Sequence, residues 1–148
     1  MNTEINVRLA KQEEIQWINE QYDSVGFKHS VFERELIAIA EVAGVRKGLG
    51  RLQNINDLDA ELGGIYVNEE CRGLGLASKI VDFLVENSAS YNKVYCLPFS
   101  HLNQFYSKFG FTDADKGDGI PETVINKHKW CNKTYDNETL LFVLNNKK

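Results

Sequence analysis

Apolar and polar residues alternate at Ile5, Val7 and Leu9, which predicts a half-buried first strand. From Lys11 to Tyr22 the apolar positions Ile15, Trp17, Ile18 and Tyr22 return at helical spacing. Glu13 and Glu14 stand near the start of that helix, where its dipole favours anions. Val25 to Arg34 reads as a loop with a short helical turn, and Leu36 to Val42 as a buried strand. Gly44-Val45-Arg46-Lys47-Gly48 reads as a hairpin turn leading into a strand at Leu49 to Gln53. Asn54 to Asp59 is a polar turn, and Glu61 to Val67 the next strand. Gly63-Gly64 inside that strand predicts a bulge or the close approach of another group to the backbone.

A second helix follows, with Leu76, Ile80, Phe83 and Leu84 on one side and Lys79, Asp82 and Glu86 facing away. Val94 to Leu97 is a short apolar strand ended by Pro98, and His101 to Lys108 a helix stopped by Gly110. Thr112 to Gly119 is an acidic loop, Pro121 opens a helix running to Lys133, Glu138 to Leu144 is a last strand, and Asn145 to Lys148 a frayed tail. The order is strand, helix, three strands, helix, strand, helix and a closing strand. It predicts a mixed sheet with helices on its faces, an α+β (mixed α/β) fold in a single domain over residues 1–148.

Composition narrows the function. A chain of 148 residues, 43% apolar, can bury one core without disulfides. Seventeen basic against 21 acidic side chains, a net charge of −4, argue against nucleic-acid coating and against a polybasic membrane binder. No apolar run approaches the roughly 20 residues of a membrane-spanning helix. The N-terminus lacks the basic start and apolar run of a secretory signal, so a cytoplasmic protein is expected. Cys71, Cys96 and Cys131 are odd in number and far apart, and His29, His101 and His128 show no ligand spacing, so neither disulfides nor a metal site is expected. Asp113 to Gly119 has some look of a calcium loop, but its glycine is misplaced and Val124 stands where a bidentate Glu is required.

The informative segment is Arg72-Gly73-Leu74-Gly75-Leu76-Ala77-Ser78, where a strand leads through a short turn into a helix built on glycines. Free N–H groups at a helix start carry positive partial charge and can hold a phosphate. Gly73 and Gly75 lack a Cβ and let an anion come against the backbone, and Arg72 adds a full charge at the rim. A phosphorylated ligand is the reading. The Gly-Lys-Ser/Thr ending of a P-loop is absent, and Ser78 stands where a Rossmann turn needs its third glycine.

Arg72 to Ala77 resembles the Q/R-x-x-G-x-G/A acetyl-CoA motif of the GNAT N-acetyltransferase superfamily, and Phe105-Tyr106-Ser107-Lys108-Phe109-Gly110-Phe111 is similar to that family's F-Y-x-x-x-G-F segment. The resemblance covers residues 5 to 112 and the closing strand. It implies the acyl-CoA N-acyltransferase fold, a central mixed, mostly antiparallel sheet with helices on both faces. It implies acetyl-CoA as acetyl donor, with its pyrophosphate on the amides of Arg72, Gly73, Leu74, Gly75, Leu76, Ala77 and Ser78. The pantetheine arm would pair with the bulged strand at Ile65, Tyr66 and Val67, where a backbone N–H would face the thioester carbonyl. Tyr106 takes the position of the proton donor to the departing thiolate. Glu61 is the first candidate for the base that takes the amine's proton, through water, and Asp59 the second. Phe99 and Leu102 stand where many relatives have Asn and Ala, so a polar contact from this helix would fall to Ser100, His101 or Asn103.

Residues 120–135 form an insertion before the last strand, with Val124, Ile125, His128 and Cys131 on one apolar face. It either covers the sheet or closes over the acceptor, lined by Trp130 or Tyr135. The expected activity is acetyl transfer to a primary amine of a small molecule or peptide by direct attack in a ternary complex. The alternative is a non-catalytic acyl-CoA-binding regulatory module acting through a protein partner. An exposed edge strand would let a second copy pair as a homodimer.

Overall fold

The computed structural model describes residues 4–114 and 119–146. Its strands are β1 (Ile5–Leu9), β2 (Glu35–Val42), β3 (Val45–Asn54), β4 (Asp59–Val67), β5 (Lys93–Cys96), β6 (Thr112–Asp113) and β7 (Phe142–Asn145). Its helices are α1 (Ile15–Val25), α2 (Leu76–Glu86), α3 (Asn103–Ser107) and α4 (Glu122–Thr134). Along the seven-stranded sheet the order is β1-β2-β3-β4-β5-β7-β6. The pairings β1–β2, β2–β3, β5–β7 and β6–β7 are antiparallel, so the fold is α+β with a mostly antiparallel sheet. The chain forms two compact units, Met1–Gln53 with Leu62–Asn87, and Asn54–Glu61 with Ser88–Lys148.

In the first unit the hairpin between β2 and β3 turns on Ala43-Gly44, both at positive φ (53° and 81°), with Val42 paired to Val45. The turn is therefore two residues long, and of the segment expected to turn, Gly44 to Gly48, all but Gly44 is strand. Such a tight turn matches the twist of the strands it joins. Gly48 and Gly50 serve packing instead. A Cβ on Gly50 would stand 2.6 Å from Ile80 Cγ2 and 2.7 Å from Ile65 Cδ1. Helix α2 lies on those bare positions with Leu76, Ile80, Val81 and Leu84 buried; Val81 takes the deep place expected of Phe83. A second cluster joins Ile18 and Tyr22 of α1 to Ile37, Ile39 and Leu49.

Charge fixes the outer end of this unit. The Arg8 guanidinium lies 2.8 Å from Glu14 and 3.1 Å from Glu41, and Arg46 lies 3.3 Å from Glu14 and stacks over the Trp17 ring. Glu14 also accepts the Lys11 N–H, capping the turn of 3-10 helix that precedes α1. The hydrogen bond from Arg8 above all pulls the Glu14 carboxyl down to about 2.

In the second unit, β5 pairs with β7 from Lys93↔Asn145 to Cys96↔Phe142. Tyr95, Ile120, Val124 and Val143 form its core, flanked by Ile55, Leu97, Ile125 and Leu141. The last strand is shorter than its apolar run. Pro98 has no N–H to give a ladder, and upstream of Phe142 only an isolated bridge joins Phe99 to Thr139. The expected helix at 101–108 is split into a 3-10 turn, Ser100–Leu102, and the short α3. Strand β6 had no alternation to reveal it, since both its residues are exposed. The acidic loop expected at 112–119 lies partly outside the described residues, at 115–118, as does the end of the expected tail, at 147–148.

Two outcomes follow. Gly50→Ala should cost about 1–3 kcal/mol in chemical denaturation, because the added methyl has no room under α2. The depressed Glu14 carboxyl contributes stability above its ordinary value of 4.5, and loses it as pH falls toward about 2. Melting curves of Glu14→Gln should therefore lack part of the wild-type fall between those two pH values.

Candidate active site

In the first unit, β4 runs out at Val67 and the chain descends through Asn68, whose side chain accepts the Glu70 N–H at 3.0 Å. One turn of 3-10 helix, Glu69–Cys71, buries Cys71 as an anchor and leaves Arg72 extended and exposed. Gly73 and Gly75 follow at φ 88° and 79°, a conformation that costs most other residues energy. A Cβ on either would meet nothing within 4 Å, so open space lies on that side of the turn. Leu74 N–H donates to Cys71 and Lys79 N–H to Gly75. The N–H groups of Gly73, Gly75, Leu76, Ala77 and Ser78 donate to no backbone carbonyl among the described residues. Unpaired donors converging at the positive end of a helix, with an exposed guanidinium beside them, can hold a diphosphate.

Upstream, Gly64 interrupts β4 at φ 61°. Its carbonyl accepts the Tyr22 hydroxyl at 2.7 Å, and a Cβ there would come within 2.6 Å of that oxygen and 2.8 Å of Arg51 Nε. Arg51, 5% exposed, lies under the Tyr22 ring and donates to Ser30 Oγ and the Lys28 carbonyl, with Glu35 3.8 Å away. The expected irregularity at Gly63-Gly64 is thus a left-handed glycine clamped from α1. Ile65, Tyr66 and Val67 follow it, half-buried.

In the second unit, Glu61 near the start of β4 is 9% exposed, and its Oε2 accepts from Lys127 Nζ of α4 at 2.6 Å. Tyr106 of α3 is 6% exposed and held edge-on by Phe105 and Phe111, and the Cys96 thiol acts on its hydroxyl. Burial first, then the Cys96 thiol, raises the phenol well above its ordinary value, so it stays protonated. Burial likewise raises Cys96, aided by Glu61 and opposed by Lys127, and raises Cys131, where Lys127 and Glu61 act in the same opposed senses. The two expected catalytic groups therefore belong to one polar cluster with Cys96 and Lys127.

Other candidates sit in more ordinary places. Asp59 accepts from the Asn56 side chain at 3.2 Å, closing the turn before β4. Asn103 is exposed and accepts from Ser107 Oγ. His101 stacks on Phe99, which meets Tyr135 edge-on, and Tyr135 meets Trp130; Trp130 and Tyr135 are 54% and 46% exposed. His128 Nε2 lies 2.8 Å from the Thr139 carbonyl. Among the described residues no group of His, Cys, Asp and Glu could hold a metal ion, and no helix is long and apolar enough to cross a membrane. Sequence reasoning missed Lys127 and Tyr22. Lys127 was detectable only as a cation three residues from Val124 on an otherwise apolar stripe.

The three cysteines are free and buried, and thiols react as thiolates. Ellman's reagent should titrate three thiols in denaturant, while native protein at pH 8 reacts slowly, over hours; fast native reaction of Cys96 or Cys131 would contradict the burial described.

Comparison with known proteins bears on this geometry. A family model described as an acetyltransferase (GNAT) domain matches residues 33–113. No curated protein matches. Among solved structures, the chain is similar to Rv2747 from Mycobacterium tuberculosis in complex with CoA and a further ligand, at TM-score 0.73 and 18% identity, covering 95% of this chain and 98% of that one. It is similar to the ribosomal-protein-S18-alanine N-acetyltransferase from Escherichia coli, at TM-score 0.71 and 14% identity, covering 98% and 96%. A third is N-acetylglutamate synthase from Neisseria gonorrhoeae complexed with coenzyme A and N-acetyl-glutamate, at TM-score 0.68 and 15% identity; all of this chain aligns, but it spans only 36% of that protein. These identities speak to the fold, while the family model covers more than half the sequence, including the glycine turn and the Tyr106 segment: the chain belongs to the GNAT acetyltransferase family.

Proposed function

We propose that this chain is an acetyl-CoA-dependent N-acetyltransferase that moves an acetyl group to a primary amine of a small molecule or peptide by direct attack in a ternary complex. The observation that carries it is the row of unpaired N–H groups at Gly73 and Gly75 to Ser78, set in a GNAT chain with open space beside both glycines. Two of the solved structures similar in fold hold CoA. Arg72, Gly73, Leu74, Gly75, Leu76, Ala77 and Ser78 would hold the donor's diphosphate. Ile65, Tyr66 and Val67 would hold its pantetheine arm by backbone hydrogen bonds, with an N–H there facing the thioester oxygen as charge develops on it. Asn103 would add a side-chain contact.

Acetyl-CoA supplies an acetyl group on a good leaving group. The amine lone pair forms the new C–N bond, and the C–S bond breaks. The proton lost by nitrogen passes to the Glu61 carboxylate through water, and the proton gained by sulfur comes from Tyr106, whose buried phenol still holds its proton when the thiolate departs. Two features support these roles: burial keeps Tyr106 protonated, and the Glu61 carboxylate lies 2.6 Å from the Lys127 ammonium. Helix α4, with the exposed Trp130 and Tyr135, is assigned as the cover of the acceptor.

Acetyl-CoA should raise the melting temperature, and a thiol-release screen over polyamines, amino acids, aminoglycosides and peptide N-termini should find an acceptor. Tyr106→Phe should then lower kcat about 100-fold while CoA affinity changes little. Unchanged kcat would remove Tyr106 from the mechanism. Tight CoA binding with no thiol release from any amine would favour the non-catalytic acyl-CoA-binding module.

A further inference from the structure

Lys127 is out of place by the logic of packing. Val124, Lys127, His128 and Cys131 fall at i, i+3, i+4 and i+7, on one face of α4. Val124 and Cys131 are buried and His128 meets the Thr139 carbonyl, so this face is packed. An aliphatic residue would be the ordinary choice between them. A lysine stands there instead, its side chain 46% exposed, and places its ammonium 2.6 Å from a Glu61 carboxylate whose side chain is only 12% exposed.

The chemistry of this contact is an alkylammonium on a straight carbon stem, seated on a carboxylate. A primary alkylamine at neutral pH presents the same group. Exchanging one alkylammonium for another keeps the nearly buried carboxylate paired, whereas a neutral or anionic acceptor would displace Lys127 and leave an uncompensated charge. The half-exposed Lys127 can give its ammonium to water on release. We propose that Lys127 is an internal stand-in for the acceptor: without substrate it occupies the place on Glu61 that the ammonium of a cationic alkylamine takes during turnover. The acceptor is then a cationic alkylamine, and Lys127 sets the affinity it must exceed. This rests on the reading of Glu61 as the base, with the seated ammonium giving its proton to the carboxylate directly in place of the water route.

The test uses n-butylammonium as probe and the 13C resonance of the Glu61 carboxyl in full-length labelled protein as readout. Lys127→Met should tighten n-butylammonium binding about fivefold, because the competing pair is gone. Lys127→Arg, which can grip the carboxylate with two donors, should weaken binding below wild type. Glu61→Gln, which lacks that carboxyl and is read by titration calorimetry instead, should abolish binding in either background. A lysine that merely anchors α4 would give no tightening. Lys127→Met binding within about twofold of wild type, or weaker, overturns the proposal. If Lys127→Met does not fold, Lys127→Arg decides, and binding equal to or tighter than wild type overturns it. The two readings fail separately. Normal turnover by Glu61→Gln removes the base while tightening in Lys127→Met keeps the stand-in; lost turnover in Glu61→Gln without that tightening does the reverse.

Discussion

Helix α2 can offer unpaired N–H groups to a ligand because strand β3 carries no side chains at the two places beneath it. Gly48 and Gly50 let Leu76, Ile80 and Leu84 come against the sheet backbone, and the helix is fixed along its buried stripe. The direction in which its first turn points follows from that packing. A helix start costs free energy if its donors are buried without partners. Here the turn is exposed, so water satisfies them cheaply and a phosphate can replace the water. The site is a by-product of how a helix must begin, and what the sequence adds is two left-handed glycines and a cation.

The same unit shows a second constraint. A strand that kept its ladder through Gly64 would spend every N–H on its neighbours. A left-handed residue breaks that economy, and it is held there from the other side by the Tyr22 hydroxyl. Tyr22 is itself supported by the Arg51 guanidinium against its ring. Arg51 Nε and Glu35 Oε1 are buried without hydrogen-bond partners, a tension that an apolar core would avoid. The cluster ties the loop at Lys28 and Ser30 to the strand that bears the irregularity. Functional sites commonly store such strain where a backbone must depart from regular geometry.

Legibility followed the range of the forces involved. The stripe of α2, the alternation in β1 and the glycine turn are local patterns, and each was readable within a dozen residues. Gly48 misled because a glycine near a turn and a glycine beneath a helix look alike in one dimension; only the partner, Ile80, separates them. The Phe83–Val81 exchange is a rotation of the buried stripe by part of a turn, decided by what the helix packs on. Strand β6 is two exposed residues held by pairing alone. The Tyr106 segment was legible through family resemblance, but its interaction with Cys96 joins residues ten apart on different elements, and no period encodes that. Glu61 was read without its partner for the same reason, since Lys127 lies 66 residues away.

That pairing changes how the candidate base should be understood. A carboxylate 9% exposed needs either a proton or a cation to be tolerated. The fold supplies a cation on α4, 2.6 Å from Glu61, and the carboxylate is the form of that side chain that can accept a proton. The phenol of Tyr106 is treated in the opposite way: it receives no cation, burial penalises its anion, and it remains the form that can donate one. The two candidate groups of this unit thus sit in opposite settings, Glu61 against an ammonium and Tyr106 buried beside aromatic rings and a thiol, which separates a proton acceptor from a proton donor. Acid and base functions need that separation before any substrate arrives.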